Sequence, residues 1–327
     1  MRIVVIGGTG HIGTYLVPRL VAAGHEVIVA SRGHRTPYQA HDAWGAVARV
    51  AIDRPAEEAA GTFGARIAAL RPDAVVDLIC FTVESARQLV DALRAFETLL
   101  LHCGTIWVHG HSSVVPTVET QPRRPFGSYG IQKAAIETDL LDQTRRGTAR
   151  ASVLHPGHIV GPGWAPLNPA GHFDPAVFTR LAHGEAVVLP NLGMETVHHV
   201  HAADVAQAFE LALNHPERAV GESFHVVSPA ALTLRGYAEA MAEYFGHPAL
   251  LHFAPWEEWR GTVSDENADV TWDHIAHSPN CSIAKARERL SYAPRYTSLS
   301  AIIEAVTALI AAGLVQGPTR LETEITF

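Results

Sequence analysis

Residues 2–13 read Arg-Ile-Val-Val-Ile-Gly-Gly-Thr-Gly-His-Ile-Gly. The β-branched run Ile3 to Ile6 predicts a short buried strand. It stops at Gly7-Gly8, and the glycines then satisfy GxGxxG from Gly8 and GxxGxxG from Gly7. From His11 the apolar residues Ile12, Tyr15, Leu16, Leu20 and Val21 recur at helical spacing up to Gly24, a left-handed cap. Pro18 should kink that helix. A strand, a glycine turn and a helix in this order let the backbone approach a pyrophosphate. The free N–H groups and positive dipole end of the helix then face the anion. The stretch therefore predicts a dinucleotide site.

The same alternation continues outward. Strands are predicted at Glu26–Ala30, Val47–Ile52, Ala74–Ile79, Leu99–His102, Ala151–His155 and Ser223–Val227. Helices are predicted at Ala65–Leu70, Ser85–Phe96, Ser128–Arg146 and Val200–Leu213. This order argues for an α/β fold, a doubly wound parallel Rossmann sheet. Residues 156–175 are rich in Gly and Pro and read as a loop lining a site rather than as core. Residues 229–327 read as mixed and irregular. We expect a dinucleotide-binding domain at 1–161 and 197–228. A smaller, discontinuous C-terminal substrate-binding cap would occupy 162–196 and 229–327.

Composition narrows the class. The 327 residues are 47% hydrophobic and 18% charged, ordinary for a folded chain. A net charge of −8 argues against a nucleic-acid partner. The three cysteines, Cys80, Cys103 and Cys281, are far apart, so neither a disulfide framework nor a zinc ribbon is expected, and a cytoplasmic location fits. No targeting or membrane segment is visible; the apolar stretch Ala301 to Val315 carries Glu304 and has the spacing of a packed helix. The 20 histidines include clusters at His109/His111 and His198/His199/His201. These are read as structural, with no metal expected.

Two details point to chemistry. The second strand ends in Ser31-Arg32-Gly33-His34-Arg35, without the acidic residue that would bond an adenosine ribose 2′-hydroxyl. Arg32 suits a 2′-phosphate, so NADP is expected, with NAD as the alternative. Tyr129 and Lys133 stand at i and i+4 on one predicted helix. An ammonium there should lower the phenol's pKa and so prepare it for proton exchange with a substrate hydroxyl. Lys133 and Lys285 are the only lysines in the sequence, and seven tyrosines and two lysines would form YxxxK about 0.04 times by chance.

GGTGHIG, Asp53, HCGTIWVHG, SYGIQK, HPGHIVGPG, HHVHAADVA and FHVVS occur in the order of the extended short-chain dehydrogenase/reductase superfamily. More narrowly, the chain resembles the NAD-dependent epimerase/dehydratase family over residues 1–228, and more loosely through SIAKARERLSYAP. It looks like a shortened, atypical member, since the segment CFTVESARQLVDALR lacks a longer insertion. The resemblance implies catalytic roles for Thr105, Tyr129 and Lys133. It implies cofactor contacts for Gly7, Gly10, His11, Ile12, Gly13, Asp53, Leu78, Ile79, Cys80, Lys133, His155 and Pro156, with Arg32 added from its charge. Asp53 would receive the adenine amino group. His109, expected at the site mouth, His158, Trp164 and Asn168 are candidate substrate contacts, beside Thr105.

Ile106 and Trp107 replace the Asp and Glu that sugar 4,6-dehydratases of the family use, which argues against that elimination. The resemblance implies an oxidoreductase or epimerase that moves a hydride at a secondary alcohol or ketone of a sugar-like small molecule. Two alternatives stand beside it: a nucleotide-sugar 4-epimerase of the UDP-glucose type with retained NAD, and a non-catalytic cofactor-binding regulator. A homodimer is left open. The family's two diphosphate-binding arginines have no match, since Val197 stands at one place and the stretch 269–280, DVTWDHIAHSPN, has no Arg or Lys.

Overall fold

The computed structural model of the protein describes residues 1–317, so the last residues of the expected cap, 318–327, lie outside it. Strand β1 (Arg2–Ile6) sits between β2 (Glu26–Ser31) and β4 (Ala74–Asp77). Beyond β2 lies β3 (Ala48–Ala51). Beyond β4 come β5 (Leu99–Cys103), β6 (Arg150–Pro156) and the strand Ser223–Val226. All seven run parallel. The sequence order reverses direction across the sheet at β1 and β4, the switch point where such sheets bind ligands.

Alternation along β1 explains the layering. Ile3 and Val5 join the core under helix α1 (His11–Ala22) and the helix Ala202–Asn214, with Leu16, Val205 and Phe209. Val4 and Ile6 face the opposite core, with Phe63, Ile67, Leu89 and Leu140 from three other helices. The strand reads as continuously apolar because both faces are covered. Helix α1 continues through Pro18 without a break, closing before Gly24 at φ +81°.

Three expectations need correcting. Residues 54–59 form a helix that the sequence reading missed, with Asp53 as its N-cap. Residues 229–317 are largely helical, with unexpected helices at Leu234–Tyr244, Asp265–His277 and Ala284–Leu290, while the helix Ser298–Ala311 agrees with the packed helix expected from the spacing of Ala301 to Val315. The second was unreadable because its buried side is Ala268, Thr271, His274, Ile275 and His277, not an apolar stripe. Within the glycine-rich stretch, Leu167, Asn168, Ala170 and His172 are buried and help build a separate interior around Phe178, Tyr237 and Trp259. Among the described residues no helix is long and apolar enough to cross a membrane.

Candidate active site

The glycine turn is built by close backbone approach. The amide of Gly7, at φ +80°, donates to the carbonyl of Ala30, and the amide of Gly10 donates to that of Gly7. A Cβ on Gly13 would fall 2.1 Å from the Gly8 carbonyl oxygen, so only glycine lets α1 start this near the strand end. No side chain caps α1, and its first turn holds no acid. The unpaired amides therefore face the cleft, a cradle suited to a dinucleotide pyrophosphate.

The cleft runs to either side. One lobe, of about 430 Å³, is walled by Gly7, Gly10, Ser31, Arg32, Arg35 and Ile52. The other holds His11, Ile12, Leu78, Ile79, Thr105, Tyr129, Lys133 and Pro156. Arg32 thus lies where expected. Arg35 lines both lobes and was passed over, although it stands three residues along the same quoted stretch.

Lys133 is buried, and its Nζ donates to the carbonyls of Cys80 at 2.8 Å and Cys103 at 2.6 Å. Burial lowers its pKa, with nearby Cys103, Cys80 and Asp77 acting in the other direction. Tyr129 keeps 42% of its surface open at the cleft mouth, yet burial around its hydroxyl, aided by Cys103, raises its pKa to about 12 against an opposing hydrogen bond with Thr105. The expected lowering by Lys133 is absent because the ammonium lies 5.8 Å from the ring centroid and bonds to backbone carbonyls.

Thr105 is held from behind. Its amide donates to His155 Nδ1 at 3.0 Å, and His155 Nε2 lies 3.1 Å from Glu137 Oε1. Arg123 grips both oxygens of Glu137. Burial works to raise the Glu137 pKa, but His155 and Arg123 outweigh it and hold the carboxyl well below its usual range. Gly104 is required there, since a Cβ would meet His155 Nδ1 at 2.3 Å.

Several expected contacts are not in the cleft wall. His155 is fully buried behind Thr105. Cys80 turns its buried thiol toward the Thr82 carbonyl, leaving only its backbone oxygen to Lys133. The Asp53 carboxylate accepts from the amide of Ala56. His109 is buried away from the mouth, 2.8 Å from His225 Nε2. Asn168 is fully buried and bonds within its own loop, to Ala170, His172 and Asp174. Four of these side chains, His155, Cys80, His109 and Asn168, are buried, whereas Asp53 is exposed and caps a helix with one carboxylate oxygen.

On the other side of Tyr129, Trp107 lies 5.9 Å away ring to ring and stacks on His277 at 4.2 Å. His274 is 5.0 Å from Trp107 and 4.9 Å from His158, whose two ring nitrogens have no partner. Trp107 went unnoticed because it was read only as the loss of a carboxylate. His198, His199 and His201 bond to Ser228, Leu167 and the amide of Ala203, so they serve the interior. Asp77, Cys80 and His102 have metal-ligand spacing, but Arg54 already pairs with Asp77 at 2.6 Å. The buried group is therefore a poor cation site.

A family profile described as NAD dependent epimerase/dehydratase matches residues 3–226. The chain is 29% identical over 249 residues to the 2′-dehydrokanamycin reductase of Streptomyces kanamyceticus, covering 76% of this chain and 68% of that one. It is 26% identical over 334 residues to the UDP-glucose 4-epimerase of Corynebacterium glutamicum, covering 95% and 96%. The structure of a UDP-glucose 4-epimerase with UDP-glucose from Thermotoga maritima superposes with a TM-score of 0.73 at 22% identity, covering 95% and 99%.

The buried histidines give a pH dependence with a definite sign. Burial holds His198, His274 and His277 at about 4 and His199 at about 3, against an ordinary 6.5. Unfolding releases them to protonate, so stability should fall as the pH drops below 6.5, before the carboxylates titrate. The melting temperature is expected to decrease between pH 7 and pH 5; a flat profile over that range contradicts the assignment.

Proposed function

The chain belongs to the NAD dependent epimerase/dehydratase family, and on that premise we propose that it moves a hydride at a secondary alcohol or ketone of a sugar-like substrate. The observation that carries this reading is the convergence of Thr105, Tyr129 and Lys133 on the lobe that also holds the glycine turn. The α1 amides would hold the pyrophosphate, Arg32 would take a 2′-phosphate, and Lys133 would meet the nicotinamide ribose. NADP is the proposed cofactor. When bound, the nicotinamide supplies or accepts the hydride.

The protein's own part is proton transfer and orientation. Thr105 and Tyr129 bind the reacting oxygen. Tyr129 gives its proton to a forming alkoxide, or takes one from an alcohol. The hydroxyl, protonated at neutral pH as any phenol is, has the form needed for the reductive direction, and the upward pKa shift reinforces it. The Arg123–Glu137–His155 chain keeps the Thr105 backbone in register. The cap, 162–196 with 229–327, is the proposed substrate side.

We further propose a substrate without a nucleotide diphosphate. The ring of residues beyond Tyr129 is Trp107, His158, His274 and His277, and burial keeps these histidines neutral. Neutral imidazoles are poor partners for two phosphate charges. The relative named 2′-dehydrokanamycin reductase has a name stating reduction of a substrate that is not a nucleotide sugar. The second reading, a nucleotide-sugar 4-epimerase, is favoured by the near-complete coverage of the C. glutamicum enzyme.

Tyr129→Phe is expected to lower kcat by about 10²-fold or more while leaving the Kd for NADPH within a few-fold. Undiminished turnover would remove Tyr129 from the mechanism. UDP, TDP and GDP are each expected to fail as inhibitors at millimolar concentration, and micromolar inhibition by any of them would establish the epimerase reading instead.

A further inference from the structure

Trp164 leaves the short strand His158–Val160 on the loop Gly161-Pro162-Gly163 and stacks on His11, ring centroids 3.6 Å apart and planes 4° from parallel. Its Nε1 donates to the carbonyl of Ile159 at 3.2 Å, which fixes the ring's orientation. His11 is the first residue of α1 and part of the cleft wall. Its Nε2 lies 3.0 Å from the hydroxyl of Tyr38. The fit is tight: a Cβ on Gly163 would fall 2.6 Å from the Tyr38 ring.

Tyr38 belongs to the segment that follows β2 and carries Arg32 and Arg35. Between Arg32 and Ala40 that segment has no helix or strand, and its first five residues are exposed. Apart from a local bond of the Gly33 amide to Ser31 Oγ at the end of β2, its hydrogen bonds to the rest of the described chain both come from Tyr38, through its hydroxyl to His11 and its amide to Thr14 Oγ1 at 3.0 Å. Neither arginine pairs with a carboxylate among the described residues. Arg35 nevertheless lines both lobes, on either side of the glycine turn. The segment is thus an arginine-bearing strap tethered at one residue, and Trp164 backs that tether from the cap side.

We propose that Trp164 is a latch on the cofactor cleft: through His11 and Tyr38 it holds the strap so that Arg35 closes over the dinucleotide pyrophosphate, and cofactor exchange requires the stack to open. This rests on the nicotinamide-dependent reading above. A guanidinium kept beside the helix N-terminus adds a charge-assisted contact to a phosphate. An ordered strap also lowers the ordering cost of binding, which acts on residence time more than on encounter. The loop that carries the latch continues from Gly157 and Ile159 in the cleft wall into the cap at Leu167. Occupation of the substrate side can therefore reach the cofactor through one connected segment.

The test follows NADPH fluorescence in stopped flow, with excess NADP displacing the bound cofactor and no substrate present. Trp164→Ala should speed NADPH dissociation by about tenfold or more, with the association rate changed less. Tyr38→Phe, which removes only the hydroxyl, should act in the same direction by a smaller factor. Arg35→Gln should weaken NADPH binding and flatten its salt dependence. Melting temperatures identify a variant that has failed to fold, and Tyr38→Phe then carries the test. Dissociation within twofold of wild type in both Trp164→Ala and Tyr38→Phe overturns the latch while leaving the hydride-transfer reading intact. A wild-type protein that binds neither NADPH nor NADH overturns both.

Discussion

A buried ammonium is costly unless every donor finds a partner, and Lys133 is 2% exposed. Its two short bonds go to the carbonyls of Cys80 and Cys103, just beyond or at the carboxyl ends of adjacent parallel strands. The lysine satisfies those carbonyls while they satisfy it. The consequence is geometric. The helix Gly127–Arg145 is fixed against the ends of β4 and β5, and one turn earlier the same helix places Tyr129 at the cleft mouth. In a chain whose other lysine is Lys285 and whose remaining strong bases are arginines, this position keeps the thinner side chain. A guanidinium would have to pack its planar fork between two strand ends.

A second constraint comes from the opposite face of Thr105. His155 would be read from sequence as a residue near the nicotinamide, but it lies behind the site, accepting the Thr105 amide and facing Glu137. Thr105 and Lys133 thus draw on the same helix, since Glu137 stands one turn beyond Lys133. The helix that offers the phenol also anchors the hydroxyl residue, through His155 and the partly buried Arg123–Glu137 pair. Such a pair adds little net stability by itself. Its effect here is to limit where Thr105 can sit.

Much of this was legible. The run Ile3 to Ile6 with its glycines announced the first βα unit because steric demands there are local: Gly13 must lack a Cβ, and β1 must be apolar on both faces. The pairing of Tyr129 with Lys133 was legible because i and i+4 share a helix face. What sequence could not supply was direction. Cys80, His109 and Asn168 are buried, each with its side chain turned to a neighbouring carbonyl, a second histidine or its own loop. The lowered phenol pKa failed for the same reason, since spacing does not say where an ammonium sends its protons. The helix Asp265–His277 was hidden because its buried side is mostly histidine, threonine and alanine. Trp164, read as a pocket wall, lies against the glycine turn because two distant loops converge on His11.

We propose that Lys133, Tyr129 and Thr105, which converge on one cleft, serve hydride exchange between a nicotinamide and a carbinol carbon. The direct measurement is isotopic: the protein is given NADPH deuterated at the transferable C4 position together with a set of keto sugars and simpler ketones, and the products are read by mass spectrometry and NMR. One deuterium is expected on the carbon that was the carbonyl, with transfer from one face of the nicotinamide only. Product formed without deuterium at that carbon, or no oxidation of NADPH with any ketone offered, would contradict it.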